Sequence, residues 1–164
     1  MKGLYTIGYE EASIEDFVST LKAAGVTTLL DIREIPLSRK KGFSKRALAE
    51  AVEGAGITYR HERGLGSPKP IRQKLHSDGD YKRFFASFTD YLKSQAPLLK
   101  ALSVELEGKV ALMCFERDPA TCHRSVVARQ LDALTGLKTK HLGVMHGTGH
   151  KRARIDSGEG VPAA

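Results

Sequence analysis

The chain has 164 residues, 41% of them hydrophobic, and a formal net charge of +7 at pH 7. That length suits one domain with a real core and is short for two. No apolar run approaches the ~18 residues of a membrane-spanning helix. Two cysteines, Cys114 and Cys122, are too few for a secreted disulfide scaffold. The opening MKGLYTIGYE reaches Glu10 without a long apolar stretch, so no signal peptide is read there and a cytoplasmic location is expected.

In chain order, strands and helices alternate. LYTIGY, from Leu4, is the first predicted strand. Ser13 then caps a helix with Asp16 in its first turn, Ile14, Phe17, Val18 and Leu21 on one face and a stop at Gly25. TTLLDIRE, from Thr27, is the second strand, followed by a helix from about Ser44 to Gly54 or Gly56 with Leu48 and Val52 four apart. ITYRHE, from Ile57, is the third. The stretch RGLGSPKPIRQKLHSDGD, Arg63 to Asp80, is rich in Gly, Pro and charge and is expected to be a long irregular loop. Helices over Tyr81–Ser94, with Phe84, Phe85, Phe88, Tyr91 and Leu92 as the apolar face, and over Pro97–Gly108 follow. KVALMCFE from Lys109, a helix from about Cys122 to Gly136, and LKTKHLG from Leu137 complete the series.

This alternation predicts a single Rossmann-like three-layer α/β domain over residues 1–145, with a five-stranded, mainly parallel sheet. Continuously apolar VALMC agrees with a strand buried on both faces. The expected strand order is 3-2-1-4-5. Residues 146–164 are expected to form a flexible tail.

The charge is localised. Between Arg33 and Lys74 there are 11 Lys and Arg against 4 Asp and Glu, while the remainder of the chain balances. Such concentration points to a polyanion, a nucleic acid or a phosphorylated small molecule, with a solvated basic surface as the other reading.

Sites in open parallel sheets lie beyond the carboxyl ends of the strands, and polar residues collect there. After the fourth strand comes CFERDPATCHR. Asp118-Pro119 or Thr121 opens a helix, so Cys122, His123 and Arg124 fall near its first turn, where free N–H groups favour anions. The same field lowers a thiol pKa. Candidate chemistry rests on Cys122, His123, Glu116 and Asp31, with Arg124 as a phosphate contact. Cys114 is a second candidate nucleophile, though at the end of a buried strand it reads first as packing. A zinc or iron site is permitted by ligand softness, but the spacing matches no common zinc motif, so no metal ligands are assigned.

After the second strand, DIREIPLSRKKGFSK offers Arg33, Ser38 and Arg39 to phosphate. Phe43 and Tyr9 are either ring-stacking platforms or packing, with Phe43 a possible staple ahead of the Ser44 helix.

TIGYE, DIREIPLSRKKGFSK, GITYRHERGLGS and LMCFERDPATCHRSVVARQL together resemble the family of domains of unknown function number 488, from about Tyr5 to Leu134. The resemblance implies a compact Rossmann-like domain from bacterial or archaeal cells. It matches signature positions Gly8, Asp31, Arg33, Pro36, Ser38, Phe43, His61, Leu65, Gly66, Cys114, Glu116, Cys122, His123 and Arg124. It departs at Ser67, where the family has a second glycine. It implies no established reaction.

Two functions follow from the residues. The first is an enzyme on a nucleic acid or nucleotide-like phosphate substrate, working at the strand ends. The alternative is a non-catalytic nucleic-acid or nucleotide-binding module, whose binding would weaken with salt. A metal or redox sensor using the two thiols ranks behind both.

Overall fold

The computed structural model describes residues 1–149. In chain order the elements are β1 (Gly3–Gly8), α1 (Ile14–Ala23), β2 (Thr28–Asp31), α2 (Lys45–Gly54), β3 (Thr58–His61), α3 (Lys69–Asp78), α4 (Tyr81–Lys93), α5 (Ala96–Glu105), β4 (Lys109–Cys114), α6 (Arg124–Thr135) and β5 (Lys140–Leu142). Single 3-10 turns at Arg63–Leu65 and Pro119–Thr121 lead into α3 and α6.

All strand pairs are parallel, in one sheet of order β3-β2-β4-β1-β5. The expected order 3-2-1-4-5 is therefore corrected: β4 sits between β2 and β1. The reason is burial. From Val110 to Cys114 every residue of β4 is buried, and a strand apolar on both faces belongs in the middle of a parallel sheet. The neighbourhood of β1 and β4, on which a shared site depends, is present in either order.

Helices cover both faces. On one, Phe17 and Leu21 of α1 and Leu48 and Val52 of α2 pack against Ile7, Leu29, Ala111 and Met113. On the other, Phe88 and Leu92 of α4, Leu99 and Leu102 of α5, and Val127 and Leu131 of α6 cover Leu4, Leu30, Val110 and Leu112. Local signals set the helix starts. The Ser13 hydroxyl accepts from the Asp16 N–H at 3.1 Å, and Asp80 accepts from the Arg83 N–H.

Two expectations change. The stretch Arg63–Asp80 is not an irregular loop: it carries α3, which ends on Gly79 in the left-handed conformation (φ 64°). The last strand is shorter than LKTKHLG, covering Lys140–Leu142 only. The expected tail begins with docked residues, since the Gly147 and Gly149 N–H groups donate to the Asp16 carboxylate. Its remainder, 150–164, lies outside the described residues. No helix among the described residues is long and apolar enough to cross a membrane.

Candidate active site

Register places the strand ends in one row. Gly8 pairs with Cys114, Asp31 with Met113, and Asp31 with His61 on its other side. The chain leaving β4 then crosses over the end of β1. A Cβ on Gly8 would overlap the Glu116 carbonyl and touch Arg124, so only glycine permits the crossing. Gly66 plays the same part against the backbone of Glu34.

At the end of β2, fully buried Asp31 grips Arg33. Arg33 Nε donates to Oδ1 at 2.9 Å and Nη2 to Oδ2 at 2.7 Å. Tyr59 adds its hydroxyl to Oδ2 at 2.6 Å. Arg33 Nη1 donates to the Phe43 carbonyl at 2.7 Å and the Tyr9 hydroxyl at 3.3 Å. Burial works against the Arg33 charge, but Asp31 outweighs it and the guanidinium pKa is raised. Burial, with Asp31 beside it, also holds the Tyr59 phenol above its ordinary range.

At the end of β4, the structure joins Cys114 and Cys122 through their sulfurs, with Cα atoms 7.6 Å apart. Glu116 Oε2 lies 3.4 Å from Cys114 Sγ, and burial raises the Glu116 pKa. His123 Nε2 is 2.9 Å from the Ile32 carbonyl, so that nitrogen carries the proton and Nδ1 is left as acceptor. Burial lowers the His123 pKa to about 4, making it neutral at pH 7.

Arg124 is fully buried. Its guanidinium donates to the carbonyls of Glu116 and Arg117 and to Cys114 Sγ, and its backbone N–H donates to Cys122 Sγ. Burial lowers its pKa to about 10, with Glu116 and Asp118 opposing, so it remains a cation at neutral pH.

These groups face a cleft of about 470 Å³. Cys114, Glu116, His123, Arg33 and Ser67 belong to its wall, while α3 supplies Arg72, Leu75 and His76. The Ser67 hydroxyl is buried and has no hydrogen-bond partner among the described residues. Four large apolar side chains of the same lining are exposed: Ile35 (47%), Leu37 (71%), Tyr81 (44%) and Phe115 (45%). Four exposed apolar groups around one opening are more than random scatter.

The sequence-predicted residues therefore divide. Glu116, His123, Arg33 and Tyr9 line the cleft, with Cys122 and Arg124 directly behind. Asp31 lies below, its carboxylate taken by Arg33 and Tyr59. Phe43 is fully buried and stacks on Tyr9 with ring centroids 4.5 Å apart. Ser38 and Arg39 lie outside the lining; the Ser38 hydroxyl accepts from the Lys40 N–H. Cys114 stands in the wall, although its apolar strand favoured packing over the nucleophile reading; missed from the sequence were Ser67, Arg72 and His76, which came from the stretch read as a loop.

Fold and site define a parallel α/β domain with a cleft at the carboxyl ends of its central strands, one wall of which carries Cys114. The family model described as "Domain of unknown function DUF488" matches residues 13–131, and the chain belongs to that family. No curated protein and no solved structure matches it.

Proposed function

We propose that this protein is an enzyme acting on a nucleic acid or nucleotide-like phosphate substrate, bound in the cleft. One observation carries the reading: an apolar, partly aromatic mouth stands over a polar floor of Cys114, Glu116, His123 and the unpaired Ser67 hydroxyl. A planar ring suits Tyr81 and Phe115 at the mouth. Its polar edge would meet Ser67, and Glu116 is the lining carboxylate left for a reacting group, since Glu34 is paired with Arg72.

The cations support the phosphate half. Of the basic stretch, Arg33, Arg46, Arg60 and Arg72 are in ion pairs. Arg39, Lys40, Lys41, Lys69 and Lys74 are in none among the described residues, and they sit on the loop after β2 and on α3, the two segments flanking the cleft. A module that only binds would need the mouth, the cations and Ser67 but not Cys114, Glu116 and His123, which favours the enzyme.

The test is fluorescence anisotropy with labelled single-stranded DNA and RNA and with nucleoside monophosphates, followed by product analysis. Three phosphate contacts would give a slope of log affinity against log salt of about −2. Absence of binding to polymer and mononucleotide alike at low salt overturns the reading. Binding without conversion of any probe reduces it to the binding module.

A further inference from the structure

We propose that the reduced Cys114–Cys122 pair and His123 form a binding site for a soft divalent cation, zinc first and ferrous iron second, with an open position toward the cleft and Glu116. The two sulfurs and a ring nitrogen of His123 all lie within 4.8 Å of one another, and all three residues are buried. Zinc bonds of about 2.3 Å to sulfur and 2.0 Å to nitrogen put tetrahedral donors about 3.5 Å apart. The observed 3.8 Å between Cys122 Sγ and His123 Nδ1 already approaches that spacing.

His123 is oriented for ligation. Its Nε2–H is fixed on the Ile32 carbonyl, which leaves the Nδ1 lone pair on the side of the sulfurs. A backbone carbonyl holding the far nitrogen is the usual way a metal-binding histidine is oriented. Arg124 donates to both sulfurs, from its backbone N–H to Cys122 at 3.4 Å and from its guanidinium to Cys114 at 3.5 Å. Those bonds favour thiolates, the form that binds metal. The sulfur-rich donor set selects zinc or iron over magnesium and calcium, which take oxygen.

Backbone spacing points the same way. The two Cα atoms are 7.6 Å apart, beyond the ~4.4–6.8 Å over which cysteines are ordinarily bridged, and that span leaves room for an ion. The joined sulfurs are the oxidised pair, and the metal would bind the reduced one. A dithiol reductant returns it: each disulfide takes two electrons and two protons to give two thiols, and the reductant becomes a disulfide. Metal binding afterwards releases the thiol protons. Three protein ligands with a fourth position free is the pattern of catalytic rather than structural zinc. Cys114 and His123 line the cleft, so that position faces the substrate side.

The experiment uses full-length protein reduced with dithiothreitol, loaded with zinc and passed through a desalting column, with elemental analysis of the eluate. A parallel sample is titrated with cobalt(II). One equivalent of retained zinc and a near-ultraviolet thiolate-to-cobalt charge-transfer band are expected. Cys122→Ser and His123→Ala should each weaken zinc binding about tenfold or more, while His141→Ala, which is outside the donor set, keeps the equivalent. Zinc well below one equivalent in reduced protein that is folded by circular dichroism overturns the site, as does cobalt binding without the charge-transfer band; the pair would then be a redox dithiol only. Loading is read without substrate, so its failure leaves the nucleotide reading intact, and failure of nucleotide binding leaves the metal site intact.

Discussion

Asp31 meets Arg33 edge to edge, with both carboxylate oxygens engaged, in a pocket where neither side chain is more than 8% exposed. The pair fixes the strand-end segment that leads into Ile35 and Leu37 at the cleft mouth. Asp31 is a positioning residue, since Arg33 and Tyr59 already occupy its oxygens. Asp31→Ala leaves a buried guanidinium without its anion and should cost about 3–5 kcal/mol. Urea unfolding of the variant measures this, and a loss below ~1 kcal/mol would mean that the pair behaves as a surface ion pair.

Ser67 separates binding from stability. Its hydroxyl is buried with no partner among the described residues, so Ser67→Ala removes no hydrogen bond from the empty protein. The variant should unfold at the wild-type temperature or slightly above it. Affinity for the nucleotide probe that binds best should fall by about three- to tenfold, the value of one neutral hydrogen bond. Unchanged affinity with unchanged stability would remove Ser67 from the site.

Asp16 ties the segment after β5 to α1. Burial alone would raise its pKa, but the Gly147 and Gly149 N–H groups, with Ser13 beside them, bring it below the ordinary 3.8. A depressed carboxylate contributes stability that is complete above its unfolded value and is lost as pH falls through the folded value. Docking of this segment should therefore be constant from pH 7 to about pH 5 and released below the ordinary carboxylate range. The amide proton shifts of Gly147 and Gly149 report it by NMR. A common midpoint at or above 3.8 would contradict the assignment.

Strands and most helices were legible because apolar spacing is a local property. The Ser13 cap, the Gly25 stop and the Phe84–Phe88–Leu92 face all specify structure within one turn or two. Strand order is not local: each right-handed crossover can reach a neighbouring or a next-but-one position, and the choice depends on packing across the whole sheet. The one available signal was the unbroken VALMC run, which belongs in the centre. Helix α3 escaped because Ile71 and Leu75 are its only apolar residues after Pro70 and it buries no side chain fully.

The site was legible in place more than in role. CFERDPATCHR does end at the cleft, yet the helix begins at Arg124, two residues later than its expected start at about Cys122, and the Cys122 sulfur accepts the first N–H. That preference for an anion at the helix start is thus met from within the chain. Phe43 could be read as platform or staple because both need an aromatic residue before Ser44. Only the tertiary fold puts Tyr9 on one side of it and Phe17 on the other.

The weak anchoring of α3 has a kinetic side. This helix forms one wall of the cleft; Arg72 ties it to Glu34 on the loop after β2 and to the Ser67 carbonyl just ahead of the helix, and Asp78 ties it to Arg83 of α4. Segments with few buried contacts open at a small fraction of the global unfolding free energy. Opening of this wall is therefore expected to cost less than unfolding the sheet, and the departure of a bound molecule would follow the breaking of two guanidinium pairs, Arg72–Glu34 and Arg83–Asp78, rather than any motion of the core.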